Sequence, residues 1–241
     1  MTEFNLRPGP EFEIAPGRTA LIVVDMQRMG LVPGVGLSPL HEERSPESYR
    51  QYQDYVRATL IPNNVRLVEG FRALGWRIAF TTAGSFLPDR ADSAGPRRRK
   101  DLEFQRRTGI KTIFAIGDYE HGVIDELGPR PDDLLLNKVG SDIFIGTGLD
   151  QLLRWMGLDT LVFTGVGTCY CVESSVRHAS DLGYACIVAA DACGTSDMTL
   201  HEHSLRVMKQ RYAMVCPTAE ILEKLPRARE APAAGHASRE G

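Results

Sequence analysis

The sequence predicts an α/β protein: one three-layer, doubly wound sheet of about six parallel strands. Three observations carry that expectation. Six short runs rich in Val, Ile, Leu and Ala are apolar throughout instead of alternating, the pattern of strands covered by helices on both faces. Segments with the apolar spacing of amphipathic helices separate most of them. The 241 residues, 43% hydrophobic and 24% charged, suffice for a single core without disulfides or metals. Crossovers between the parallel strands are then expected to be right-handed.

The first strand is Thr19–Val24, ending at the acidic Asp25. A Pro/Gly-rich stretch follows from Pro33 to Pro46. Val65, Val68, Phe71 and Leu74 then mark a helix from about Pro62, with Gly75 as its stop. Arg77–Thr82 is the second strand. The long polar segment from Ala83 to about Asp118 reads as either an active-site loop or a subunit contact. Its basic run Arg97–Lys100 reads as solvated loop. Asp133–Asn137 is a third strand that delivers Lys138. Leu149, Leu152, Leu153 and Met156 mark a helix closed by Gly157. Thr160–Thr164 is the fourth strand, followed by a Gly-rich turn and a helix from about Cys171 to Leu182. Ala185–Ala190 and Tyr212–Cys216 are the fifth and sixth strands, with a helix around His201 to Gln210 between them. The chain thus divides into an arm (1–18), one folded domain (19–226) and a tail (227–241). The tail's Ala, Pro, Gly, Arg and Glu predict disorder.

A formal net charge of −3 gives no electrostatic footprint for nucleic acid or an anionic membrane. No apolar stretch approaches the roughly 20 residues that span a bilayer. The first residues lack the order of a signal peptide. Five cysteines, an odd number without framework spacing, fit reduced thiols. A cytoplasmic protein is expected.

Ligands of an open parallel sheet bind outside the carboxyl ends of its strands. Asp25 follows strand one, Lys138 follows strand three, and Cys171 lies past strand four where a helix begins, so the three meet over one rim. In the segment Gly165–Ser174, two glycines allow a tight turn. A thiol at a helix N-terminus is expected to have a lowered pKa, and the free N–H groups there suit an oxyanion. The alternative is a buried structural cysteine beside a packing glycine. None of the six histidines is placed to serve a cysteine nucleophile; all read as surface residues. Asp25, poorly hydrated at the end of a buried strand, is the better proton acceptor, with Lys138 holding it beside the thiol. A purely structural Asp–Lys pair is the competing reading.

Val23–Gln27, Lys138 with Phe144 six residues on, and the segment from Gly165 through Cys171 to Glu173 resemble the isochorismatase-like cysteine hydrolases over about Thr19 to Leu225. The resemblance implies an Asp25–Lys138–Cys171 triad, with Cys171 and not Cys169 as nucleophile. It implies a cis peptide at Val166–Gly167 and an oxyanion hole of the Gly167 and Cys171 N–H groups. It also implies a homodimer or homotetramer, with no cofactor and no metal. Gln27, Phe144 and Tyr170 are the candidate pocket walls. Asp142 departs from the family pattern as an extra carboxylate near the lysine, and Cys169 is unusual beside the nucleophile. The stretch Thr81–Asp89 lacks the histidines of metal-dependent nicotinamidases, and a thiol argues against the vinyl-ether chemistry of true isochorismatases. The stretches Gly84–Asp89 and Ala190–Asp197 resemble members acting on carbamoyl or ureido amides, which makes a small-molecule amide the expected substrate. A nucleotide-binding or redox module on the same architecture would need a glycine fingerprint after strand one, which is missing. An idle family member acting by interaction is the third reading.

Overall fold

The computed structural model describes residues 9–93 and 95–226, with only the backbone of 95–98. The tail from Arg227, His236 and the first eight residues of the arm lie outside them. Six strands form one parallel sheet: β1 (Thr19–Val24), β2 (Arg77–Ala83), β3 (Leu134–Lys138), β4 (Thr160–Val166), β5 (Ala185–Gly194) and β6 (Met214–Cys216). Their order is β3-β2-β1-β4-β5-β6, with every neighbouring pair parallel. The chain therefore winds outward from β1 in one direction and from β4 in the other. The crevice between those two strands is where such a sheet binds its ligand.

The six residues of β1 are all buried. Leu21 and Val23 enter one apolar cluster, while Ala20, Ile22 and Val24 enter the other. The first cluster is covered by α3 (Pro46–Tyr55), α4 (Ile61–Ala73) and α9 (Thr218–Lys224). The second lies under α6 (Leu149–Trp155), α7 (Glu173–Asp181) and α8 (Met198–Arg211). Phe12 and Ile14 of the arm pack on the first cluster.

Three segments differ from the sequence expectation. The stretch before Pro62 carries the short helices α1 (Arg28–Leu31) and α2 (Ser38–Arg44), then α3. A π-helical turn at Val56–Leu60 joins α3 to α4 without a break. Pro62 has no N–H to give to the preceding turn, and a widened turn absorbs the missing bond. The polar segment after β2 contains α5 (Gly95–Thr108), so the basic run is helical, not loop, with Arg99 and Lys100 exposed. Finally, β5 extends four residues past Ala190 through a register shift against β4. The carbonyls of Asp191 and Ala192 accept from Asn63 and Asn64 Nδ2 at 3.1 and 2.8 Å. That extension carries Thr195 and Ser196 to the rim.

Candidate active site

Each of the three predicted residues stands where its strand or turn reaches the carboxyl edge. Asp25 leaves β1 with φ of 49°, a left-handed conformation that Asp tolerates better than most residues. Its N–H donates to the Thr81 carbonyl at 3.1 Å, and its Oδ1 accepts from Thr81 Oγ1 at 3.0 Å. Lys138, the last residue of β3, is 1% exposed. Its Nζ donates to Asp25 Oδ2 at 2.7 Å, to Cys171 Sγ at 3.3 Å and to the Gly140 carbonyl at 3.0 Å. Three donors and three acceptors satisfy the buried ammonium completely.

The turn carrying Cys171 is shaped by glycine. Gly165 has φ of +108°, and a Cβ there would lie 1.9 Å from the Val24 carbonyl oxygen, so β4 approaches β1 as no other residue would allow. The Val166–Gly167 peptide is cis, as the resemblance implied. The Gly167 carbonyl then accepts from the N–H groups of Tyr170 and Val172, closing a π-helical turn, Thr168–Val172, ahead of α7. Thr168 is fully buried, and its Oγ1 lies 2.8 Å from His201 Nδ1. Burial holds the His201 pKa below its ordinary value.

The electrostatics correct one expectation. The Cys171 thiol is pushed up to about 12, first by burial and next by the negative charge of Asp25; Lys138 opposes both. The helix-terminus argument predicted a lowered value, but the terminal dipole is a fraction of a charge, outweighed by burial and then by the Asp25 carboxylate. The thiol is thus protonated at neutral pH and lies beside a carboxylate. Burial alone would lower Lys138, yet the Asp25 carboxylate beside it raises it, so it stays cationic.

A cavity of about 380 Å³ opens over this rim, within the usual range for small-molecule sites. Asp25, Gly167, Tyr170 and Cys171 line it from the sheet side. Tyr49, Tyr52 and Gln53 of α3 line it too, with Thr112, Ile113 and Phe114 from the segment after α5. The long polar segment therefore borders the site. Among the described residues, no group of three or more His, Cys, Asp or Glu side chains is arranged to hold a metal ion.

The family model described as the Isochorismatase domain matches residues 19–220. The chain belongs to the isochorismatase family. It is similar to a ureidoacrylate amidohydrolase RutB of Serratia proteamaculans, 34% identical over 184 residues, 74% of this chain and 70% of that one. A ureidoacrylate amidohydrolase RutB of Methylorubrum extorquens is 32% identical over 209 residues, 83% and 80% of the two chains. Among solved structures, a cysteine hydrolase from Pseudomonas syringae pv. phaseolicola superposes with a TM-score of 0.73 at 24% identity. It covers 91% of this chain and 97% of its own. An N-carbamoylsarcosine amidase from Thermoplasma acidophilum gives 0.58 at 25% identity, covering 83% and 96%.

Within this isochorismatase-family frame, some residues serve elsewhere than expected. Tyr170 borders the cavity, but Gln27 and Phe144 do not. The Gln27 carboxamide is consumed by backbone: Nε2 donates to the carbonyls of His121 and Ala83, and Oε1 accepts from the Ala83 N–H at 2.8 Å. Phe144 packs against the rings of His178 and Tyr184. Asp142 does not pair with Lys138. It accepts from the Phe144 N–H and bonds His178 Nδ1. Cys169 turns to Thr195 Oγ1 at 3.7 Å. The histidines are not all surface residues: His121 and His201 are buried, and His41 lines the cavity beside the rings of Tyr49 and Tyr52. The α3 wall was missed at the sequence level; Tyr49, Tyr52 and Val56 at helical spacing were the available signal.

Proposed function

We propose that this chain hydrolyses a small carbamoyl- or ureido-type amide through a covalent intermediate on Cys171. Hydrolysis of a non-peptide C–N amide bond is supported by the family membership and by relatives named ureidoacrylate amidohydrolase. The observation that carries the mechanism is Lys138 Nζ bonded at once to Asp25 Oδ2 and Cys171 Sγ.

Asp25 takes the thiol proton as Sγ attacks the carbonyl carbon. A thiol held as high as about 12 gives little thiolate in the resting site, so proton transfer accompanies attack. The proton then joins the buried carboxylate, and Lys138 balances the sulfur that gains charge. The oxyanion accepts from the backbone N–H groups of Gly167 and Cys171. Asp25 returns the proton to the leaving nitrogen as the C–N bond breaks, releasing ammonia or an amine. The acyl group is left as a thioester, or as a thiocarbamate when the substrate is a ureide. Water, deprotonated by Asp25, attacks that carbon; the S–C bond breaks and the thiol regains its proton. The same reading has a small molecule as partner, no cofactor or metal, a cytoplasmic location and a homodimer or homotetramer.

Ammonia release across ureas, N-carbamoyl compounds and simple carboxamides tests this reading, with Cys171→Ala as control. The wild type is expected to turn over ureido or carbamoyl members. Cys171→Ala is expected to lose at least about 10⁴-fold in kcat while keeping its circular dichroism and melting temperature. Activity retained by that variant contradicts the nucleophile.

A further inference from the structure

The chemistry described above uses the sheet side of the cavity and leaves the helical wall without a role. On that wall α3 carries Tyr49, Tyr52 and Tyr55. Two of them are tied to the protein. The Tyr49 hydroxyl lies 3.4 Å from Ser38 Oγ, and the Tyr55 hydroxyl donates to the Cys193 carbonyl at 2.7 Å. Tyr52 lines the cavity and is 6% exposed. Among the described residues its hydroxyl bonds no protein group, yet it does not belong to the unpaired side-chain atoms sealed from solvent. The little surface that Tyr52 keeps therefore includes its oxygen.

His41 of α2 repeats the pattern. Its ring packs against those of Tyr49 and Tyr52, with centroids 5.5 and 6.5 Å apart, and it lines the same cavity. His121, His178, His201 and His203 each bond a side chain. Half-buried His41 bonds none among the described residues, and neither of its ring nitrogens is sealed from solvent.

A buried tyrosine usually finds a partner for its hydroxyl, and packing alone would be served by phenylalanine. Burial pushes the Tyr52 phenol above its ordinary range, so it keeps its proton and can donate. An imidazole offers at least one N–H in every protonation state open to it here. We propose that Tyr52 and His41 form the subsite for the substrate arm leading away from the attacked carbonyl, Tyr52 Oη and a His41 N–H donating to an acceptor oxygen on that arm. This rests on reading the cavity as the amide site. The class selected is amides and ureides whose far end carries a carboxylate or carbonyl oxygen; a carboxylate, with two oxygens, can take both donors. An analogue with an alkyl end displaces water from both donors and gives nothing back, and sites of this kind discriminate strongly against such analogues.

The test compares carboxamides and monosubstituted ureas of equal chain length that end in a carboxylate, a methyl ketone or an isopropyl group. Wild type, Tyr52→Phe, His41→Leu and the double variant are assayed for kcat, KM and melting temperature. Wild type is expected to prefer the carboxylate or ketone member over its isopropyl match by about tenfold or more in kcat/KM. That ratio should fall in each single variant, chiefly through KM, and approach one in the double variant. The melting temperature of Tyr52→Phe should be unchanged or higher, since no protein hydrogen bond is lost. A wild type without the preference, or a preference that survives both substitutions, overturns the proposal. So does an equal loss on all members, the signature of a packing role. A wild type that releases ammonia from no member counts against the amide reading instead, and binding then decides the subsite. The carboxylate or ketone members should raise the melting temperature of wild type and not of the double variant; an equal rise in both, or none in wild type, overturns the subsite.

Discussion

The two sides of the cavity are built on different principles. The sheet side gathers Asp25, Lys138 and Cys171 from the ends of β1, β3 and β4, where strand register fixes position to a fraction of a residue spacing. Every polar group there is paired: Lys138 with three acceptors, Asp25 with Lys138 and Thr81. The opposing helical and loop wall holds aromatic rings and small hydroxyls. Charge chemistry needs a rigid, fully satisfied constellation, because an unpaired buried charge is far more costly than an unpaired amide. On the proposed reading the first side carries the reaction, and the second borders the bound molecule.

The largest effect that would break this division is at Asp25. Asp25→Asn removes the proposed base, and kcat is expected to fall about 10³-fold or more. Removing the negative charge also removes an influence that raises the Cys171 pKa, so the thiol becomes more acidic while Lys138 still favours thiolate. Iodoacetamide is therefore expected to alkylate Cys171 faster in this variant than in wild type at pH 8, although turnover is lost. Slower or equal alkylation, measured on the Cys171 peptide, would mean that Asp25 does not hold the thiol protonated.

A smaller effect is expected at Tyr170, which borders the cavity but is 60% exposed. Tyr170→Ala should raise KM severalfold with little change in kcat, the pattern of binding lost equally from ground and transition states. A fall in kcat with KM unchanged would move Tyr170 from the wall to the chemistry. The mildest kinetic effect belongs to Gln27, which the structure assigns to holding backbone. Gln27→Leu leaves the Ala83 N–H and the His121 carbonyl without this partner, a loss of about 1–3 kcal/mol, read as a lower melting temperature. If KM rose while stability stayed constant, Gln27 would be a substrate residue after all.

The contrast between the sides also governs what could be read from the sequence. β1, β2 and β4 announce themselves because strands buried on both faces are continuously apolar, and chemistry at their ends follows from the architecture. The turn that carries Cys171 was legible because Gly165 stands where only glycine permits the approach to Val24. The α3 wall was hidden for physical reasons. Pro62 marks a helix start in most sequences, yet here a π turn carries the helix through it, and Gln53 interrupts the apolar face. α5 has no apolar stripe, so its composition read as loop. The Cys171 pKa was misjudged because the dipole was weighed without the burial, and then the carboxylate, that only the folded chain brings around the thiol. Gln27 and Phe144 lie two and six residues past Asp25 and Lys138, but their side chains turn to backbone and to the rings of His178 and Tyr184.

The most direct test of the central claim is to quench a turning-over reaction in acid and measure the mass of the peptide that carries Cys171. This peptide, and not one modified on Cys186, Cys193 or Cys216, is expected to carry the acyl or carbamoyl part of the substrate, and Asp25→Asn is expected to prevent its formation. Turnover with an unmodified Cys171 peptide under conditions that trap such esters, or an adduct on another residue, would contradict it.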